Sequence, residues 1–232
     1  MSEVKLVLDR VTALTQFVGK GILFNLNYLP DTILGGIVLF ALLMQSAPLA
    51  ILGTSLFSLE FIHAGLASFL QNAIPGLNEA TKNVSQCSGH FPGISYERVL
   101  SGLVNQGTLK TMSVSFPSYY MMFFGTLFGY ILGTEQTYSR ELQALPKRQA
   151  AIYAGTIVMG LLSLLFAVFR INSGCDSFLS VLVGSLVGLL FGYVCEKLVA
   201  TLSNNTLTNL LNLPLIRDKA TDGKPIYVCK KN

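Results

Sequence analysis

The chain has 232 residues, of which 51% are hydrophobic and only 12% charged, where a soluble domain carries about 25% charge. Water is therefore not the solvent for most of this surface. The net charge of +4 is modest and no basic stripe precedes the C-terminal tail, so nothing points to a nucleic-acid partner. The reading is an all-α fold, a polytopic transmembrane helical bundle over residues 1–200, followed at 201–232 by an amphipathic stretch and a polar tail.

Residues 1–20 carry Glu3, Lys5, Asp9, Arg10 and Lys20 and lack a compact apolar core before a small-residue cleavage site, so a removable signal peptide is not expected. Val4, Val7, Val11, Leu14 and Val18 repeat at three- and four-residue spacing, which predicts an N-terminal amphipathic helix. It either lies in the membrane interface or runs on through 22–28 as a first span. The windows 32–59, 111–134, 149–169 and 177–195 contain no Asp, Glu, Lys or Arg, and each is long enough for a span of roughly 20 residues. The first predicts a crossing at 33–53, with Pro48 as a kink that neighbouring helices must satisfy.

The segment 55–74 is apolar enough to enter the bilayer, yet it holds Glu60 and His63, three residues apart and so on one helical face. Ionisable groups at membrane depth point to function by default. The plainer account, a tilted helix with that face towards headgroups or the protein interior, is preferred. Glu-x-x-His pairs also occur in di-iron bundles, but those need further carboxylates and a second copy of the motif, and this chain has neither. The four cysteines form no Cys-x-x-Cys pair, and no phosphate-cradling or dinucleotide-binding glycine motif is present. No metal or cofactor is expected.

A polar loop rich in Gly, Asn and Ser follows at 75–112, and loops of that length within compact proteins are commonly functional. Spans are then predicted at 113–133, 151–169 and 177–199, making four with 33–53 and up to six if 1–28 and 55–74 also cross. Arg140, Lys147 and Arg148 sit between the first two of these, and Lys197, Arg217, Lys219, Lys224, Lys230 and Lys231 lie at or beyond the end of the last. Positive charge marks the cytoplasmic side, which puts 134–150 and the tail there, and 75–112 and the turn 170–175 on the opposite face. Cys87 and Cys175 then share the non-cytoplasmic face and could form a disulfide in an oxidising compartment. Two free thiols remain the alternative, because sidedness alone does not bring Cα atoms within the roughly 4.4–6.8 Å that a bond needs.

Gly125, Gly129 and Gly133 recur every four residues, as do Gly184, Gly188 and Gly192. Small residues at that spacing line one helix face and let backbones approach, the main packing device inside lipid. This predicts close helix pairing of the glycine-zipper kind.

The latter half of the bundle, from Phe116 to Gly192, resembles the type 2 phosphatidic acid phosphatase (PAP2) superfamily of membrane enzymes. Phe116-Pro117-Ser118-Tyr119-Tyr120 opens a helix where that family has Pro-Ser-Gly-His. Two helices later come Arg170 and Gly174, with Asp176 at the nucleophilic histidine position and Ser180 at that of its aspartate partner, then glycines at every fourth position. The resemblance implies a phosphatase-like bundle whose degenerate site would comprise Tyr120, Arg170, Asp176 and Ser180. It also implies loss of activity: both family histidines are missing, no Arg-Pro dipeptide exists, and Asp176 would repel a phosphate. Ser88-Gly89-His90 is a rival register, but Glu97 and Arg98 follow too closely for an uncharged helix to begin there.

Leu202, Leu207, Leu210, Leu211 and Leu213 give the stretch after the last span an amphipathic pattern, which Pro214 stops. The final residues, Lys224 to Lys231, are similar to extensions on membrane proteins of large DNA viruses. The expected function is thus a non-enzymatic integral membrane anchor or scaffold, a pseudoenzyme. Its partners would be the lipid bilayer and a protein bound through 75–112 or the tail, and a virion inner membrane or the endoplasmic reticulum are the candidate locations. The alternative is a lipid-phosphate hydrolase or small-solute transporter with a divergent polar site.

Overall fold

A computed structural model describes residues 29–73, 87, 116–143, 145–203 and 207–210. The expected N-terminal amphipathic helix, the 75–112 loop apart from Cys87 and residue 112 onward to 115, and the tail from 211 lie outside the described residues. Every regular element within them is helical: α1 (Leu29–Leu43), α2 (Ala47–Ala73), α3 (Tyr119–Thr137), the short α4 (Ser139–Gln143), α5 (Pro146–Asn172) and α6 (Phe178–Leu202). Three of these are long and apolar enough to cross a membrane, namely Ala47–Leu70 within α2, α5 and α6, while α1 is a shorter apolar helix. At about 1.5 Å per residue each of the three exceeds the roughly 30 Å hydrocarbon core. The described residues thus form an all-helical structure with three candidate membrane-spanning helices, as expected of a membrane-embedded protein.

One expected element needs correction. Segment 33–53 is not a single kinked span but the end of one helix and the start of another. α1 stops at Leu43, Gln45 adopts φ 48°, and the amides of Met44 and Ser46 bond back to the carbonyls of Phe40 and Ala41. Pro48 then falls in the first turn of α2, where its missing N–H leaves no intrahelical bond unmade. Segment 55–74 continues this same 27-residue helix. The predicted segments 151–169 and 177–199 lie within α5 and α6, whereas the helix expected from 113 begins at Tyr119.

The α1–α2 hairpin rests on α3, where Leu34, Leu56 and Leu59 pack with Met122, Phe123 and Leu127. Tyr120 and Phe124 of α3 meet Phe166 of α5 and Val181 of α6 in a second cluster. The closest pair is α3 with α6. A Cβ at Gly184, Gly188 or Gly192 would collide with the carbonyl of Ser118, Met122 or Thr126, and one at Gly125 or Gly129 with that of Ser185 or Leu189. Because the contacts advance in the same direction along both helices, α3 and α6 run parallel, and α5 returns between them. α5 itself shows only 6% of its apolar window buried, with Ile157, Leu161, Leu164 and Leu165 exposed. A face of that kind is at home against lipid tails.

Candidate functional site

The arrangement begins with the turn that ends α5. Gly174, at φ 69°, takes the left-handed position after the C-cap Ser173. The amide of Cys175 bonds to the Arg170 carbonyl at 3.0 Å and that of Gly174 to the Ile171 carbonyl at 3.0 Å, the two bonds of a Schellman closure. This reversal carries Asp176 back beside the Arg170 side chain. Ser177 then caps α6, its hydroxyl accepting from the Ser180 amide at 3.2 Å.

Arg170 is wholly buried. Its Nε donates to Asp176 Oδ2 at 2.7 Å and its Nη1 to the Cys87 carbonyl at 2.9 Å, and its guanidinium carbon lies 4.2 Å from the centre of the Tyr120 ring. That last spacing is within cation–π range. Ser118 Oγ donates to the same Asp176 oxygen at 2.7 Å, and the Ser118 amide donates to the Ser180 carbonyl at 3.2 Å. Cys87 and Cys175 are joined by a disulfide, with Cα atoms 5.3 Å apart. It brings residue 87 to the same end of the bundle as the α5–α6 turn.

The four residues placed by the phosphatase-like register therefore meet at one end of the bundle: Tyr120, Arg170 and Asp176 through side chains, Ser180 through its main chain. Glu60 and His63 stand beside them on α2. The His63 Nε2–H donates to the Pro117 carbonyl at 2.8 Å, the Tyr119 hydroxyl donates to Glu60 Oε1 at 3.3 Å, and the rings of His63 and Tyr119 meet edge to face at 5.3 Å. That face of α2 turns to the protein interior, with Glu60 and His63 both buried. The stretch Pro117–Tyr120 is thus held from α2 on one side and from the α5–α6 turn on the other.

Chemically the group is closed. The guanidinium, which would grip a phosphate in the resembled family, is occupied by a carboxylate, a carbonyl and an aromatic face. Two apolar clefts, of about 310 Å³ between α1 and α2 and about 240 Å³ between α3, α5 and α6, include none of Arg170, Asp176, Glu60 and His63 in their walls. Among the described residues no cluster of three or more His, Cys, Asp or Glu could hold a metal ion.

A second polar group escaped the sequence reading. At the other end of α3, Glu196 is wholly buried and Lys197 bonds to Gly133 and Thr137. The signal is present in the sequence, since 196 continues the four-residue series 184, 188, 192 on the glycine face of α6. No known family model, curated protein or solved structure matches this chain.

Proposed function

We propose that the chain is a non-catalytic integral membrane protein, a degenerate PAP2-like bundle of four to six spans that serves as an anchor or scaffold. The observation that carries this reading is the neutralised Arg170. The one cation matching the family motif is sealed with Asp176, which stands where the nucleophile would be, and with the Cys87 carbonyl. A site that must bind a phosphate needs that guanidinium available; here its work is to tie Ser118, the α5–α6 turn and residue 87 together. The glycine faces of α3 and α6 support a zipper-like pairing that stiffens the bundle.

The Cys87–Cys175 bond supports an oxidising compartment on that side of the membrane, which agrees with the positive charge of Lys147, Arg148 and Lys197 at the opposite end. On this reading the 75–112 loop presents a protein-docking surface on the non-cytoplasmic face, the tail presents one on the cytoplasmic face, and the membrane is that of the endoplasmic reticulum or a virion derived from it. The test is phosphate release from several lipid phosphates by purified wild type and Arg170→Ala, with and without vanadate. The expected result is no release above a mock preparation from either. Vanadate-sensitive release by the wild type would by itself sink the proposal in favour of a lipid-phosphate hydrolase.

A further inference from the structure

The polar group at the Lys197 end has a feature that a packing role leaves unexplained. The Glu196 side chain crosses from α6 to α3 and lies over the bare backbone of Gly133, where an added Cβ would come within 2.8 Å of Oε2. Unlike Gly125 and Gly129, which admit a neighbouring backbone, Gly133 seats a carboxyl. Glu196 Oε2 accepts from Thr137 Oγ1 at 3.2 Å. Lys197 Nζ stands 3.6 Å from the same oxygen, beyond hydrogen-bond reach, and donates to Thr137 Oγ1 at 2.7 Å and to the Gly133 carbonyl at 3.1 Å. Glu196 Oε1 has no hydrogen-bond partner among the described residues, and neither has the hydroxyl of Tyr130. Tyr130 is itself fully buried and, three residues before Gly133, shares its face of α3.

A carboxylate oxygen shut away from water with no donor is costly, and the nearby ammonium directs its protons elsewhere. A proton on the carboxyl lowers that cost, because the neutral acid is cheaper to keep from water than the carboxylate. We propose that Glu196 is a proton-binding site inside the membrane bundle, exchanging with water at the Lys197 end through the Thr137 hydroxyl. In the loading step an N–H bond of Lys197 breaks and its proton passes to Thr137 Oγ1, while the Thr137 O–H proton passes to Glu196 Oε2. The amine takes a proton back from a hydronium ion in the water at that end, so the net change is one proton moved from solvent to the carboxyl. Lys197 is suited to the entrance, since its side chain is 32% exposed while that of Glu196 is 0%.

Among the described residues, Lys197 of α6 and Tyr130 of α3 act on the carboxyl, and Cys195 of α6 and Tyr138, the residue after α3, act on Tyr130 in turn. α2 contributes Ser55 beside Cys195. Glu135, two residues on from Gly133 and so on another side of α3, is hydrogen-bonded to Thr156 of α5. Lys197 is thus the nearest cation, and its position disfavours a metal ion and leaves the proton as the ligand.

Infrared difference spectroscopy of the full chain in lipid nanodiscs tests this directly. At neutral pH the wild type should show the C=O band of a protonated carboxylic acid that bleaches at alkaline pH, is absent from Glu196→Gln and persists in Lys197→Met. In Glu196→Asp, which serves if the glutamine variant fails to fold, the band should move in frequency. After a pH jump, bleaching should be about tenfold slower in Thr137→Val, equivalent to ~1.4 kcal/mol on the barrier. A band insensitive to both Glu196 substitutions, or one that appears only in Lys197→Met, overturns the site, and bleaching at the wild-type rate in Thr137→Val overturns the route.

Discussion

At one end of α3 a guanidinium is enclosed, and at the other a carboxyl. Around Arg170 one acceptor is local, Asp176 in the α5–α6 turn, and the other, the Cys87 carbonyl, comes from a distant segment that a disulfide pins in place, and the pair Arg170–Asp176 is all but sealed from solvent at 0% and 4% exposure. Around Glu196 the partners are Thr137 and the adjacent Lys197, there is no covalent tie, and the cation reaches solvent. The difference teaches that the same parallel helix pair is stapled at one end and latched at the other. A staple resists opening because every buried charge has a partner whose loss strands another. A latch made from one carboxyl and a partly exposed lysine would, on the proposal above, change protonation without dismantling the pair.

The sharpest way to break the stapled end is Arg170→Ala. It leaves the Asp176 carboxylate buried against Ser118 alone and frees the Cys87 carbonyl, so a loss of about 3–5 kcal/mol is expected, read as a collapse in folded yield and thermal stability in detergent. Arg170→Ala with unchanged stability would mean the knot is not what holds this end. Next in size is the disulfide. Cys87→Ser with Cys175→Ser should cost about 2–4 kcal/mol, and non-reducing electrophoresis of the wild type should show a mobility change on reduction that the double variant lacks.

Between the two ends, Gly188→Leu drives a side chain into the Met122 carbonyl and should cost about 1–3 kcal/mol as overpacking. Gly155→Leu, where nothing lies within 4 Å of the new Cβ, should be tolerated. Equal melting temperatures for these two would remove the close α3–α6 approach as a source of stability. The smallest effect belongs to the latch: Lys197→Met should change stability by no more than about 1 kcal/mol, since the lysine is partly exposed and its bonds go to a carbonyl and a hydroxyl. If Lys197→Met proved as damaging as Arg170→Ala, the two ends would be equivalent and the contrast between them would fail.

Much of the helical content was legible in the residue pattern. Uncharged windows at 149–169 and 177–195 predicted α5 and α6, and the four-residue glycine series pointed to close helix pairing without saying which helices pair. The break at Gln45 was not legible, because 32–59 is uniformly apolar and a proline within such a run is equally consistent with a kink or a helix start. Glu60 and His63 were picked out on a shared face, but whether that face meets headgroups, lipid or protein depends on the neighbour α3 supplies. Glu196 was overlooked for the opposite reason: it lies at the end of an uncharged window, where a carboxylate ordinarily faces water.

By itself the sequence determined that this chain is helical and membrane-embedded, because backbone groups in lipid must be satisfied within each segment and that requirement is met locally by long apolar runs. It also determined which residues are unusual for such a setting, Arg170, Asp176, Glu60 and His63 among them. Only the tertiary structure decided what those residues do. The Cys87 carbonyl bound by Arg170 lies 83 positions away, the partner of His63 lies 54 away, and the seat of Glu196 is a glycine on another helix. Contacts over such separations follow from how helices dock, and docking is set by the shapes and polar groups of two surfaces at once, which no single segment encodes.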